Sequence, residues 1–586
     1  MSKKHLLRRM VYSFLFLLLL GLVVGWFQVG RLESRATAYA QSGRDAIKLL
    51  GQFSDAVTSG SREDLMACYA PSFSASAQAT WSASPGEEPD GAVILDWLPG
   101  SGDVTLDRDR IVDFTQTWLK GFSALERVRF KLASVEKADK QEMIIRSVLW
   151  VRGQDPNGAF KESKARFRLH LMHTPQGLAI ADQQLLFGET VLGEGKGFQD
   201  VAQEKGIHFR AQMNPIYTTP EWELKYFGIF KYAAAGVSAA DYDGDGWDDL
   251  FFADGARAVL YRNVRGESFQ DVTAEAGLPL DLAGFNLAIF GDWNNDGHND
   301  LFLGGLTTPS RFFRNTGNGG YEEVTDRTAG ISPLVATAAA ADYDNDGDLD
   351  LYLGRYLDPR IDLPTTLFYT RNGAGNTLLR NDGDFRFTDV TEEAGVREGG
   401  LTLGISWGDY DEDGDADMYV ANDFGRNALL RNEGNGTFSD VTMQSGTLDF
   451  GFGMSATFGD VDNDGDLDLY VSNVNSAQRW YGQAATLYSY ILNSTRQGTI
   501  RGDLSLYKEI WNFTGRGWDQ YGDRMVKGNS LMLNDGNGTF TDVAEAANAN
   551  PFGWYWGSTM FDYDNDGLLD LYAANGWISG KVVDDY

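Results

Sequence analysis

Apolar residues open the chain in one block and then settle into two periodicities. The block runs from Met10 to Phe27, behind Lys3, Lys4, Arg8 and Arg9. At 1.5 Å per residue it spans about 27 Å, close to the hydrocarbon thickness of a bilayer. It predicts a membrane anchor over 10–29, with residues 1–9 as a cytoplasmic basic tail and everything beyond a 30–43 linker delivered to the far side. A cleaved signal peptide, which would leave a secreted protein, competes through the small-x-small form of Ala38-Tyr39-Ala40. That triplet lies behind charged Arg31, Glu33 and Arg35, beyond the short polar stretch a signal peptide keeps. Between Arg44 and Tyr69, Ile47, Leu50, Phe53, Val57, Leu65 and Met66 recur at helical spacing, with a break at Gly60 where Ser61 can cap a second helix. The period then falls to two: Val128–Val135, Glu142–Arg152, Ala165–His173 and Leu178–Phe187 read as strands, with Asp155-Pro156-Asn157-Gly158 as a hairpin turn. Residues 44–194 therefore predict a small α+β domain.

From residue 197 the pattern repeats. D-x-D-x-D-G-x-x-D, with Asn in place of the second Asp in one copy, starts at Asp241, Asp292, Asp342, Asp409, Asp460 and Asp562, at intervals of 51, 50, 67, 51 and 102 residues. The basic period is about 51, in the range of propeller and solenoid units, and the long intervals contain insertions. Each copy lies between short β-prone runs, such as Gly404–Trp407 before and Leu469–Val471 after. Downstream, residues 427–432 read as a third strand, Glu433–Gly436 as a turn and Phe438–Val441 as a fourth strand; similar endings begin at Phe269, Tyr321, Phe387 and Phe540. Four strands per repeat predict propeller blades. Phe198–Val201 is a blade ending with no loop before it, and the loop at Asp562 has no ending after it, so the two complement each other. Six blades then close the ring, or seven if the insertion at 480–526 forms a degenerate one.

Composition sharpens this picture by where the charge lies. The 586 residues hold 50 Lys+Arg and 83 Asp+Glu, a net charge of −33. Residues 1–196 carry 24 basic and 22 acidic side chains, whereas 197–586 carry 26 and 61. An acidic surface of this kind repels phosphate backbones, which argues against nucleic acid as a partner. Cys68 stands alone, so there is no intramolecular disulfide and no thiolate zinc site; any metal must use oxygen ligands. His170 and His173 do not form a metal site, because an offset of three on a strand sends them to opposite faces and leaves one pointing inward.

The spacing of the repeated carboxylates fits calcium. A cation of that size takes six to eight oxygens, and alternating acids in a tight loop turn positions 1, 3 and 5 inward together. Position 6 must turn sharply and is Gly246, Gly297, Gly347, Gly414, Gly465 or Gly567. The first loop offers Asp241, Asp243, Asp245 and Asp249 with the Trp247 carbonyl, and the second Asp292, Asn294, Asp296 and Asp300 with that of His298. The third offers Asp342, Asp344, Asp346, Asp348 and Asp350, the fourth Asp409, Asp411, Asp413, Asp415 and Asp417. The fifth offers Asp460, Asp462, Asp464, Asp466 and Asp468, and the sixth Asp562, Asp564, Asp566, Leu568 and Asp570, with position 7 giving its backbone carbonyl throughout. Without a cation the converging acids repel one another. Magnesium fits less well, since it demands octahedral geometry and gives up water reluctantly. At a Kd near 10⁻⁴ M and calcium near 1 mM, each site would add about 1.4 kcal/mol, so up to six ions act as structural staples rather than as catalysts.

These loops with their flanking strands resemble FG-GAP/VCBS repeats, as in integrin α-chain propellers. The run R-N-x-G-x-G-x-F-x-D-V-T-x-x-A-G, seen at Arg431–Val441 and in part at Arg380–Gly395, is similar to the cartilage acidic protein and ASPIC/UnbV family. The resemblance implies a calcium-binding propeller outside the cell that serves adhesion or recognition, with metal ligands at positions 1, 3, 5 and 9. Asn294 departs from that pattern and implies a weaker second site. The helix-then-sheet order of 44–194 is similar to the nuclear transport factor two-like cone fold.

The primary functional expectation is a membrane-anchored, extracytoplasmic, calcium-stabilised propeller that recognises an unknown protein or glycan. A calcium-dependent polysaccharide lyase or hydrolase competes, though the chain has no H-E-x-x-H or P-loop motif and only five His. A purely structural envelope protein is the third alternative. Trp480, Tyr481, Tyr488, Tyr490, Tyr507 and Trp511 make the 480–526 insertion a candidate ligand surface.

Overall fold

The computed structural model describes residues 45–85, 92–101, 105–138, 142–193, 200–212, 236–328, 331–358, 370–474, 528–551, 553–563 and 566–576. The anchor predicted over 10–29 and the insertion at 480–526 lie outside them. Among the described residues no helix is long and apolar enough to cross a membrane. The chain divides into two compact units near residue 198.

In the first unit, helices α1 (45–59) and α2 (Arg62–Cys68) flank Gly60, and Ser61 caps α2 by accepting from the Asp64 amide at 3.1 Å. Strands β1 (Trp81–Pro85) and β2 (Ala92–Pro99) and helix α3 (Arg108–Leu119) follow. Four long strands then form most of the sheet: β3 (Ala124–Ala138), β4 (Glu142–Gln154), β5 (Phe160–Thr174) and β6 (Gly177–Gly193). The sheet is antiparallel in the order β1-β2-β6-β5-β4-β3. Strict alternation in β4 and β5 puts Met143, Ile145, Leu149, Val151, Ala165, Phe167, Leu169 and Leu171 on the covered face, where they pack with Leu49, Leu50, Phe53, Ile111 and Val112 of the helices. Trp81 and Trp97 stack at 4.5 Å with planes 3° apart, and Trp118 meets both edge-on. The strands run longer than their alternation predicts: β6, read as ending at Phe187, continues to Gly193 because β2 pairs with it over Glu189–Gly193. His170 lies on the open face, bonded to Glu142 at 2.8 Å, and His173 is exposed at the strand end, so neither points into the core.

In the second unit each of the first five repeats folds as a four-stranded antiparallel sheet whose strands follow one another in space as in sequence. Sheet one is Gly236–Ala240, Asp249–Ala253, Ala258–Val264 and Ser268–Asp271. Sheets two to five begin at Phe285, Val335, Leu401 and Ser455. A two-stranded sheet six is formed by Tyr555–Phe561 and Asp570–Asn575. Every carboxylate loop joins a first strand to a second. The first strands of consecutive sheets pack side by side from sheet one through sheet six. Trp556 of sheet six also packs on a cluster of Leu306, Tyr356, Leu357 and Leu401, drawn from sheets two to four.

The link between neighbours is aromatic at the loop end. Position 2 of a loop meets the fourth strand of the next sheet: Tyr242 with Tyr321 at 5.9 Å, Trp293 with Phe387 at 6.1 Å, Tyr343 with Phe438 at 5.9 Å and Tyr410 with Phe540 at 5.7 Å. These rings bury large areas between sheets, which aligned side chains on one sheet alone could not do.

Candidate metal centre

Each loop is built on the same frame of backbone amides. The Oδ1 of position 1 accepts from the amide of position 5 at 3.0–3.1 Å, and its Oδ2 from the amide of the position 6 glycine at 2.8–3.1 Å, in all six loops. Those glycines have φ between 84° and 103°, the left-handed region anticipated for the turn. Position 4 is left-handed too, with φ 75° at Gly244, 56° at Asn295, Asn345 and Asn463, and 58° at Glu412, Gly and Asn being the residue types that take this region most readily.

Position 9 opens the second strand and is buried. Asp249, Asp300, Asp350, Asp417 and Asp468 each accept on one oxygen from the position 2 amide at 2.9–3.3 Å. The other oxygen accepts at 2.7–2.9 Å from the backbone amide of an asparagine on the third strand: Asn263, Asn315, Asn381, Asn432 or Asn534. Burial, only partly offset by those amides, raises Asp249 to about 6, Asp300 and Asp350 to about 7 and Asp417 to about 8. In loop six, Asp562, Asp566 and Asp570 hold the same bonds within their loop, and Asp564 lies outside the described residues.

The third-strand asparagine is the functional residue that motif reading passed over. Its side-chain amide donates to the position 8 carbonyl of its own loop and, from sheet two onward, to the position 2 carbonyl of a preceding loop. Asn315 reaches Tyr242 at 2.7 Å, Asn381 reaches Trp293 at 3.0 Å, Asn432 reaches Tyr343 at 2.7 Å and Asn534 reaches Tyr410 at 2.8 Å. One residue thereby fixes the position 9 carboxylate and the seam between sheets. The signal was present in sequence as the recurrent Arg-Asn of the third strand.

Within this frame the remaining carboxylates do not all converge as positions 1, 3 and 5. Position 5 commits one oxygen elsewhere, its Oδ1 accepting from the amide of position 7 at 2.8–3.1 Å in every loop. In loops one, three and four the acids of positions 1, 3 and 9 bring ligand oxygens within 4.8 Å of one another: Asp241, Asp243 and Asp249; Asp342, Asp344 and Asp350; Asp409, Asp411 and Asp417. In loop five the group is Asp460, Asp462 and Asp464.

The Oδ1 atoms of Asp243, Asp344 and Asp411 are buried without a hydrogen-bond partner. Burial and the neighbouring acids raise the pKa of each of these carboxyls. An acceptor orphaned in this way costs about 1–3 kcal/mol, and a hard cation is the group that satisfies it alongside two further carboxylates. The residues fit a calcium-like ion in these loops. Loop two differs: Asn294 donates its Nδ2 to Asp296 at 2.9 Å and accepts the Asp296 amide at 3.1 Å, so the amide fills from within what the others leave open.

Five stretches, residues 241–303, 292–353, 365–420, 409–471 and 519–573, match the FG-GAP-like repeat model. The chain is similar to cartilage acidic protein 1 of Mus musculus, 23% identical over 398 residues that cover 62% of this chain and 59% of that protein. It is also 23% identical to the Homo sapiens protein over 363 residues, covering 58% and 47%. The chain thus spans about half the length of the curated relatives it matches. A solved Agrocybe aegerita lectin, described for recognition of non-reducing terminal N-acetylglucosamine, is similar over 71% of this chain and 80% of its own at 13% identity, with a TM-score of 0.29.

Proposed function

We propose, for a chain that carries FG-GAP-like repeats, a calcium-stapled extracytoplasmic β-propeller that recognises a protein or glycan ligand and is held to the membrane through residues 10–29. The observation that carries it is the orphaned Oδ1 of Asp243, Asp344 and Asp411, each set beside two further carboxylates with a single arginine, Arg262, Arg380 or Arg431, acting on it. Calcium at these loops would stiffen the seams between blades, because position 9 and position 2 are tied to the same asparagine as the neighbouring loop. Carboxylates engaged in this way hold a ring together and present no reacting group to a substrate.

Six blades are the reading the contacts favour. The Lys205 carbonyl accepts from the Phe269 amide at 2.6 Å, as Ala276 does from Tyr321 and Ser445 from Phe540, both at 2.7 Å. Residues 200–207 thus take the place of a blade ending ahead of blade one, supporting closure onto the blade of Asp562. The helices packed on one face of a six-stranded antiparallel sheet support a cone-like first unit.

Thermal unfolding of the full chain in neutral detergent, with calcium titrated against magnesium and chelator controls, tests the proposal. A calcium-specific rise in the melting temperature is expected. An unmoved melt, together with no heat of calcium binding by calorimetry, would remove the metal from the ring.

A further inference from the structure

The carboxylate loops are tied to one another, and unevenly. The third-strand asparagine joins position 2 of a loop to the next blade at four successive seams, from Asn315 through Asn534. A second link runs directly from loop to loop and starts at position 4. Asn295 of loop two donates its Nδ2 to the Gly347 carbonyl at 3.1 Å and to the Asp348 carboxylate at 2.6 Å, positions 6 and 7 of loop three. Asn345 of loop three donates to the Asp415 carboxylate, position 7 of loop four, at 2.7 Å. Asn463 of loop five donates to the Gly567 carbonyl, position 6 of loop six, at 3.2 Å. Loop one has Gly244 at position 4 and meets loop two by another route, the Asn299 Nδ2 donating to the Asp241 carbonyl at 2.8 Å. In loop four, position 4 is Glu412, which has no amide to donate toward loop five.

These bonds land on the part of the loop that faces a cation. In loops three and six the peptide joining positions 6 and 7 donates its N–H to the position 5 carboxylate, at 2.9 and 2.8 Å, and its oxygen accepts from the asparagine of the preceding loop. The next carbonyl along, that of position 7, is the one the spacing offers to the ion. In loop four the bond holds the position 7 side chain instead. That carboxylate is confined on its other side, where a Cβ at Gly434 would come within 2.5 Å of the Asp415 Oδ2. The donor is equally bound to its own loop. Asn345 lies between Asp344 and Asp346 and reaches across with φ at 56°. A cation that draws Asp342, Asp344 and Asp350 together enforces that left-handed backbone, and their mutual repulsion without one releases it.

We infer that the position 4 asparagine is a positioning residue for its neighbour's metal centre: calcium in loop three raises the affinity of loop four, loop four does the same for loop three, and Glu412 interrupts this link before loop five. The inference rests on the calcium reading above and adds that the loops do not fill independently.

The test unfolds the full chain by urea in neutral detergent, with calcium and with chelator, and converts the calcium-dependent part of the stability into a fold-change in affinity by mass action. Asp344→Asn, Asp411→Asn and Asp462→Asn disable loops three, four and five in turn. Coupling makes the losses of two single variants add to more than the loss of the double variant. For loops three and four this excess should be about fivefold in affinity above that for loops four and five, the low end for linked sites because the bond is exposed. Asn345→Gly keeps the left-handed turn, as Gly244 does in loop one, and should bring the first pair down to the level of the second. Glu412→Asn should raise the second pair toward the first. An excess equal in the two pairs of the parent, or one that survives Asn345→Gly, overturns the inference. Should Asn345→Gly not fold, Glu412→Asn decides, and a four–five pair left unchanged overturns it. Each of those results leaves the calcium-dependent stability of the parent intact, whereas a parent indifferent to calcium overturns the calcium reading and this inference together.

Discussion

In the loop that begins at Asp292 and the loop that begins at Asp409, position 1 accepts from the amides of positions 5 and 6. Position 9 accepts from those of position 2 and of a third-strand asparagine. The two part at position 3, where Asn294 bonds Asp296 through both ends of its amide and Asp411 leaves one oxygen buried and unmatched. Backbone amides therefore fold the loop in either case, and position 3 decides whether the folded loop still lacks a positive charge. A repeat can keep its fold whether or not its position 3 calls for a cation.

The largest effect expected is common to both loops and appears when calcium is chelated. Asp249, Asp300, Asp350 and Asp417 have folded pKa values raised to about 6–8, against about 3.9 for an unfolded aspartate. The fold therefore favours their protonated form. That stability is fully present below about pH 4 and is lost as pH rises through 6 to 8. In chelator the melting temperature should fall steadily from pH 5.5 to 8; with calcium, which takes the ionised form, the fall should flatten or reverse. A chelated protein that melts at the same temperature at both ends of this range would mean the position 9 acids are solvated.

Next in size is the loss of the asparagine that holds the frame. Asn432 donates to the carbonyls of Tyr343 and Ala416 and accepts from Gly434, and Asn315 makes the equivalent bonds to Tyr242, Asn299 and Gly317. Substituting either by Ala strands these partners, at a cost of about 3 kcal/mol. Because the frame is shared, Asn315→Ala and Asn432→Ala should lower the urea midpoint equally in chelator. With calcium, Asn432→Ala should cost more, since it also loosens an ion. Equal costs in both conditions would show that loops two and four do not differ in metal.

The sequence made much of this visible and hid the rest for physical reasons. The glycine at position 6 announces itself because only a residue without a side chain turns there cheaply. Position 4 is equally left-handed and is Gly244, Asn295, Asn345 or Asn463 in four of the five described loops, residue types that take that conformation readily, with Glu412 the exception that blurs the pattern. Positions 1, 3 and 5 look like a converging set on spacing alone. In every loop, loop five included, position 5 also takes the amide of position 7 on its Oδ1, a bond to a backbone group that residue identity does not reveal. In the first unit β1, β2 and α3 escaped notice. Residues 81–99 lack a clean alternation, and the signal for α3 was the quiet one of Asp107 capping the Arg110 amide at 3.0 Å.

The finest test exchanges position 3 itself. Asp411→Asn should let the new amide bond Asp413 as Asn294 bonds Asp296. In chelator the variant should be as stable as the parent or slightly more so, because the orphaned oxygen is gone. In calcium it should lose about 1.4 kcal/mol, the contribution of one ion at a Kd near 10⁻⁴ M and calcium near 1 mM. The converse, Asn294→Asp, removes the hydrogen bond donated to Asp296 and adds an acid beside Asp292 and Asp300, so in chelator it should be less stable than the parent. In calcium it should regain that loss and take up one further ion by calorimetry. The paired signs matter more than either size: both follow if position 3 alone sets the need for a cation. A variant Asn294→Asp that loses stability in calcium as much as in chelator would place the difference between the loops in their frames instead.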